Sequence, residues 1–273
     1  MSIYHAPLSD IRFVLFDVLD AEALFARLGF ADATRDIVDA VLDEAARFTE
    51  TVLAPLNRIG DEVGCKFDPA TGSVTTPPGF SQAYAQYVEG GWAGLVSPVE
   101  FGGQGMPHTA GVPLKEMIDA ANLAWGNFPL LSHGATEALL HHGEPWQQQA
   151  FLKPIIEGRW TGTMCLTEAH CGTDLGLLRT KAVPNADGSY SISGTKIFIT
   201  AGEHDFTNNI VHLCWRGCRM HRRAARAFRC SSCRKCASSD RLRMSGLRCS
   251  ANATRCAVAH SNTRWASMAP RPA

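Results

Sequence analysis

Thr161–His204 reads TGTMCLTEAHCGTDLGLLRTKAVPNADGSYSISGTKIFITAGEH, and it decides the fold. Thr161–Thr167 is a short run of β-branched and apolar residues, which predicts a strand. Glu168–Asp174 interrupts it with small and polar groups. Arg179–Val183 predicts a second strand. Asn185–Ser189 is turn chemistry, with Gly188 free to take positive φ. Tyr190–Ile192 and Thr195–Thr200 alternate in and out, which predicts two more strand segments joined at Ser193–Gly194.

Two words inside this stretch carry a resemblance. Cys165-Leu166-Thr167-Glu168-Ala169-His170-Cys171-Gly172-Thr173-Asp174 is similar to C-[VL]-T-E-P-x-x-G-[ST]-D. Gly194-Thr195-Lys196-Ile197-Phe198-Ile199-Thr200 is similar to G-x-K-x-[WF]-I-[TS]. Both belong to the flavin-binding middle domain of the acyl-CoA dehydrogenases. Ala169 stands where the family usually has Pro, a change that loosens the loop and removes no hydrogen-bonding group. A third word lies upstream, Gly91-Trp92-Ala93-Gly94-Leu95 followed by Pro98-Val99-Glu100-Phe101-Gly102-Gly103-Gln104-Gly105, and it resembles the family's G-W-x-G-L and P-x-x-[YF]-G-G-x-G.

The resemblance implies FAD as cofactor. A flavin ring is flat, largely apolar and polar at one edge, so it needs short donors at that edge and an apolar wall. By the family pattern Leu166 and Thr167 contact the ring edge, Gly172 and Thr173 lie by the pyrophosphate, Phe198 covers the ring and Thr200 hydrogen-bonds its edge. The implied reaction is α,β-dehydrogenation of an acyl-CoA thioester. A Glu carboxylate takes the α-proton, and electrons pass to an electron-transfer flavoprotein. That Glu belongs to the family's C-terminal helical domain, so no catalytic base is assigned in this chain. Glu168 is read as a structural residue. The full-length family forms homo-oligomers.

Upstream of Thr161 the periodicity is helical. Asp32 or Thr34 caps a helix whose apolar stripe is Val38, Val41, Leu42, Ala45, Phe48, Val52 and Leu56, and Pro55 kinks or ends it. Residues 57–78 read as a polar connector, and Phe80–Glu89 as a helix stopped by Gly90-Gly91. Thr109–Trp125, Phe128–His142 and Glu144–Gly158 complete the helices. His133, His141 and His142 lack a Cys or carboxylate partner at ligand spacing, so they read as exposed helix-end residues and no metal site is expected. The fold class is therefore α+β. A terminal extension resembling that of one long branch of the family (1–33), which packs Phe13, Leu15 and Phe16, precedes an all-α helical domain (34–158). The start of a β-barrel-like middle domain (159–213) follows, and the C-terminal helical bundle is absent.

Charge divides the chain at the same place. Residues 1–213 carry 12 Lys and Arg against 25 Asp and Glu; residues 214–273 carry 14 Lys and Arg and only Asp240. Seven of the ten cysteines also lie after Leu213. Neither a secretory signal nor a run of roughly 18 apolar residues is present, and cysteines are sparse before residue 214, so the expectation is a cytoplasmic protein with no membrane partner. Cys230-x-x-Cys233-x-x-Cys236 and the arginines offer an alternative, a helical scaffold with a zinc- or nucleic-acid-binding tail. Against it, no second CxxC pair follows at ribbon distance and the tail has neither helical nor strand period.

A shifted reading frame explains the tail better. If each original codon is the last base of one tail codon plus the first two of the next, Trp265-Ala266 and Met268-Ala269 must each conceal a glycine codon. The frame across Asn262–Pro270 then permits H-K-M-G-I-H-G-S, which resembles the family's H-K-[ML]-G-x-x-[GA]-S. Across Leu213–Lys235 it permits V-L-A-R-L-P-D-A-P and S-L-F-L-V-P-K. Residues 214–273 are thus expected to be out of frame, no nucleic acid is expected as a partner, and the chain is expected to be an inactive fragment.

Overall fold

The computed structural model describes residues 4–186, 189–216 and the backbone of 228–234. The chain divides into two compact units. Of the described residues, the first holds 4–161 together with His204–Thr207, and the second holds the remainder.

The first unit is helical. Short α1 (Leu8–Arg12) runs through a π-turn (Phe13–Val18) into α2 (Ala21–Arg27), and α3 (Arg35–Phe48) follows with Thr34 at its N-cap. Arg12 ties the first helix to the third through Asp39 at 2.8 Å and Asp43 at 2.7 Å. Ile11 and Leu15 are buried in the same core as α3. Phe13, expected to pack, is 59% exposed, because the π-turn carries it to the side opposite Leu15. Phe16 is half-buried beneath the Arg35 guanidinium, 4.5 Å from its ring centre.

Pro55 neither ends nor breaks the third helix. A second π-turn (Thr49–Leu53) precedes it, and the chain continues as α4 (Ala54–Val63) with Pro55 in the first turn, where a missing N–H costs little. The buried stripe accordingly departs from expectation. Thr49 and Leu53 are wholly buried and Val52 only half so. Thr49 tolerates burial because its hydroxyl turns back onto the carbonyls of Ala45 (2.9 Å) and Ala46 (3.0 Å). Residues 57–78 are likewise not a plain connector. Helix α4 takes the first part, and β1 (Lys66–Phe67) pairs antiparallel with β2 (Val74–Thr75) around the Asp68–Gly72 turn.

Helix α5 (Phe80–Glu89) matches its expected bounds. Beyond it the glycine-rich word folds into two 3₁₀ turns, Trp92–Gly94 and Val99–Phe101. Gly103 has no room for a side chain there, since a Cβ would come within 2.1 Å of the Ser97 carbonyl oxygen. The span α6 (His108–His142) is two helical arms that meet at Asn122, where φ is −159° and ψ 84°. The chain reverses there, giving the two arms that the sequence predicts. Asn122 supplies both ends of the reversal. Its side-chain oxygen accepts from the Trp125 N–H at 3.0 Å, an N-cap for the second arm, and its amide donates to the Leu53 carbonyl at 3.2 Å. Trp125 is wholly buried among Phe48, Tyr84 and Tyr87, with its indole N–H on the Phe80 carbonyl at 3.1 Å. The last helical stretch is α7 (Pro145–Gln147), a π-turn (Gln148–Leu152) and α8 (Lys153–Ile156).

His204–Thr207 belongs to this unit although the sequence groups His204 with the β segment. Phe206 stacks on Tyr84 with ring centres 5.0 Å apart, and the His204 ring nitrogen meets the Thr161 hydroxyl at 2.9 Å. Asp205 accepts from the Thr76 hydroxyl at 2.6 Å.

The second unit is β-structure. Strands β3 (Thr161–Cys165), β6 (Asn209–Trp215) and β7 (Phe228–Arg234) form one sheet in the order β3-β6-β7, and β4 (Lys181–Pro184) pairs antiparallel with β5 (Tyr190–Ser193). Strand β6 is buried from Asn209 to Cys214 and runs on past Leu213. β7 pairs antiparallel with it, Asn209 opposite Arg234 and Trp215 opposite Phe228. Backbone hydrogen bonding alone suffices for such a pairing, so it arises without the alternating pattern whose absence argued against a strand. Gly188 and Cys236 lie outside the described residues. Thr195–Thr200 is not a strand. Phe198 sits at φ 57° and Ala201 at φ 52°, and left-handed residues cannot extend a ladder. Among the described residues no helix is long and apolar enough to cross a membrane.

Candidate functional site

The two motif words of the second unit are brought together by one buried ion pair. Lys196 is wholly buried, and its ammonium donates to Glu168 Oε1 and to the Leu166 carbonyl, each at 2.9 Å. The carboxylate of Glu168 has further donors. The N–H groups of Arg179 (2.8 Å) and Thr180 (3.0 Å) and the Thr180 hydroxyl (2.6 Å) all point at it. Burial pushes this carboxyl upward. The hydrogen bonds from Thr180, Arg179 and Lys196 outweigh that and bring it down to about 2. Glu168 is therefore ionised and saturated with donors at neutral pH, which makes it an anchor and leaves it nothing to do as a base.

The loop it anchors is closed on itself. Glu168 and Cys171 exchange backbone hydrogen bonds at 2.8 and 3.0 Å, the Asp174 side chain accepts from the Gly176 N–H at 3.0 Å, and the His170 ring meets the Leu177 carbonyl at 3.0 Å. The second word docks on the first through the Ile197 N–H and the Thr167 carbonyl at 2.9 Å. The Thr163 hydroxyl holds the Thr200 carbonyl, also at 2.9 Å.

Leu166, Thr167, Gly172, Thr173, Phe198 and Thr200 thus sit on two adjoining segments fixed from beneath. Leu166 and Thr167 are half-buried; Gly172, Thr173 and Thr200 are exposed. The hydroxyls of Thr167, Thr173 and Thr200 hydrogen-bond to no described residue. A Cβ at Gly172 would meet only the Thr167 methyl, at 3.8 Å, so that side of the loop is open. Phe198 is 72% exposed while held in the left-handed region, a conformation that costs a non-glycine residue energy and gains it no packing.

The sequence marks Glu168 as structural, and Lys196 stands in it only as a letter of its motif. The available signal was a lone lysine in an otherwise uncharged word and a lone glutamate in its partner. It went unread because a lysine in an apparent alternating strand passes for a solvent-facing residue.

In the first unit an apolar cavity of about 290 Å³ is walled by Tyr87, Trp92, Leu95, Leu114 and Ile118. The glycine-rich turns set Trp92 and Leu95 in that wall. His133 opens onto the cavity from within the second arm of α6, not from a helix end. Only His141 and His142 lie in the last turn. The carboxylate judged missing is Glu137, one turn from His133.

Helices packed around a buried aromatic centre, followed by a β segment with an exposed edge that carries unpartnered hydroxyls, make a two-part α+β architecture. Residues 36–159 match the model of the acyl-CoA dehydrogenase N-terminal domain. The chain belongs to the acyl-CoA dehydrogenase family. It is 42% identical over 210 residues to 3-methylmercaptopropionyl-CoA dehydrogenase of Ruegeria pomeroyi, covering 77% of this chain and 35% of that one. It is 35% identical over 213 residues to a butyryl-CoA dehydrogenase of Syntrophomonas wolfei, again covering 77% and 35%. The chain therefore spans about a third of the length of these relatives. In fold it is similar to the butyryl-CoA dehydrogenase of Megasphaera elsdenii, with a TM-score of 0.58 at 22% identity over 73% of this chain and 49% of that one. A structure described as the electron transferring flavoprotein of Acidaminococcus fermentans matches with a TM-score of 0.55 at 27% identity, covering 67% and 44%.

Proposed function

We propose that this chain carries the helical part and the flavin-facing β segment of an FAD-dependent acyl-CoA dehydrogenase. The observation that carries the reading is the Glu168–Lys196 clamp, which fixes both motif words from below and leaves their donors unused above. The residues fit a flavin. Thr167 and Thr200 offer hydroxyls without protein partners, Gly172 and Thr173 offer an open loop for a phosphate, and Phe198 offers an exposed aromatic face. FAD, when bound, supplies the acceptor for the hydride removed from the substrate β-carbon. Thr167 and Thr200 orient its polar edge, and Phe198 excludes water from one face.

The substrate is an acyl-CoA thioester, and the apolar cavity of the helical unit suits an acyl chain. The electron acceptor is an electron-transfer flavoprotein, and the working enzyme is a homo-oligomer. The base that takes the α-proton is not Glu168, which is already committed to four donors. It comes from the part of the family fold outside the described residues. Residues 214–273 are out of frame, a reading supported by the family-like words that the shifted frame permits.

The test is flavin retention in a protein restored to the shifted frame. The restored protein keeps its flavin absorbance through gel filtration, and Thr167→Ala combined with Phe198→Ala loses it. Full retention by the double variant refutes the site.

A further inference from the structure

Because α6 reverses at Asn122, residues far apart in sequence meet. A straight helix would separate His108 from His133 by about 37 Å at the usual rise. Their ring centres are 6.0 Å apart. Glu137 follows His133 by one turn on the same arm, so the two side chains share a face. One ligand atom each from His108, His133 and Glu137 lie within 4.8 Å of one another. Both histidines also line the apolar cavity.

We propose that His108, His133 and Glu137 form a binding site for a divalent transition-metal ion of the zinc class, held by two imidazole nitrogens and one carboxylate oxygen. The donor set selects the ion. Imidazole and carboxylate suit zinc, cobalt and nickel, whereas calcium and magnesium call for oxygen ligands throughout. Bonds of about 2.0–2.1 Å in tetrahedral geometry put ligand atoms about 3.3 Å apart, so the three side chains must close by about 1–1.5 Å. They have room to do so, since both histidines are exposed and Glu137 is half-buried. Neutral imidazole is the ligating form.

Neighbouring charges leave the site available. Lys115, the cation that also lines the cavity, is paired with Asp119 on its own arm. His141 approaches Glu137 at 3.5 Å, but its side chain is 71% exposed and turns away without repacking. Three protein ligands leave a fourth position open, as in catalytic rather than structural zinc sites. The ion ties the two arms of α6 together away from the Asn122 turn, beside the cavity.

The experiment uses the full 273-residue chain, stripped with a chelator and titrated with Co²⁺. The cysteines after Leu213 are competing ligands, and cobalt reports the difference: thiolate ligation gives strong near-ultraviolet charge transfer, whereas nitrogen and oxygen ligation gives only weak visible bands. The expected result is one equivalent of cobalt with nitrogen and oxygen character, accompanied by a rise in Tm. His108→Ala and Glu137→Gln each weaken that equivalent at least tenfold, as is typical (about 10–100-fold) even for lost supporting groups. His142→Ala leaves it unchanged. Circular dichroism checks that the variants fold, and the near-isosteric Glu137→Gln decides should His108→Ala not fold. Absence of the nitrogen and oxygen signal in the parent chain, or its persistence in Glu137→Gln, overturns the proposal. Neither readout involves flavin or acyl-CoA, so it stands or falls separately from the dehydrogenase reading.

Discussion

At the scale of single residues, Glu168 and Lys196 do the most. They are a charged pair in a buried place, where removing one partner strands the other. Lys196→Met should cost about 3–5 kcal/mol of stability, read as a lower midpoint in urea unfolding of the restored protein. The double change Lys196→Met with Glu168→Gln should cost less than Lys196→Met alone, because no unpaired charge remains. A double-variant loss equal to the sum of the Lys196→Met and Glu168→Gln losses would mean that the pair is not coupled. The pH dependence follows from the carboxyl's folded value of about 2. A depressed carboxyl contributes stability that is fully present above its unfolded value of about 4.3 and is lost as pH falls toward the folded one. Stability of the parent should therefore decline between about pH 4.3 and 2, and Glu168→Gln should flatten that part of the curve.

At the scale of elements, α6 is the informative case. The two predicted helices are present as two arms, and Asn122 makes the reversal between them by capping the second arm and reaching the Leu53 carbonyl. Asn122→Ala should destabilise the chain by about 1–2 kcal/mol, measured by chemical denaturation, since it removes an N-cap and leaves a buried carbonyl without its donor. A loss below about 0.3 kcal/mol would show that the neighbouring helices, not Asn122, hold the turn. The π-turns are the elements that sequence pattern could not supply. A proline in a helical pattern predicts a break, and only the surrounding packing decides that one wider turn absorbs it instead.

At the scale of the whole molecule, the purified chain as written should reduce no dye when given acyl-CoA, because no carboxylate among the described residues is assigned the α-proton and the residues from Cys214 onward are proposed to be out of frame. Detectable acyl-CoA-dependent turnover would contradict that assignment. Resequencing across the His212–Trp215 codons bears on the same point. The shifted frame should spell both concealed glycines and V-P-K, and an early stop there would return the Cys-rich tail to consideration.

The sequence by itself determined the class and the order of the parts: helical periods, then a β segment bearing two motif words, then a change of composition after Leu213. Those signals are local, written in spacing and residue type, and need no partner from elsewhere in the chain. By resemblance it also put all six candidate flavin contacts in those two motif words. Only the tertiary structure showed why they adjoin. Lys196 reads as a surface lysine until Glu168, Thr180 and the Leu166 carbonyl surround it. His108 and His133 read as unrelated until Asn122 turns the chain back. Phe206 reads as loop until Tyr84 stacks on it. In each case the deciding energy belongs to a contact between residues distant in sequence, and a burial or pairing of that kind has no periodic trace for a linear reading to find.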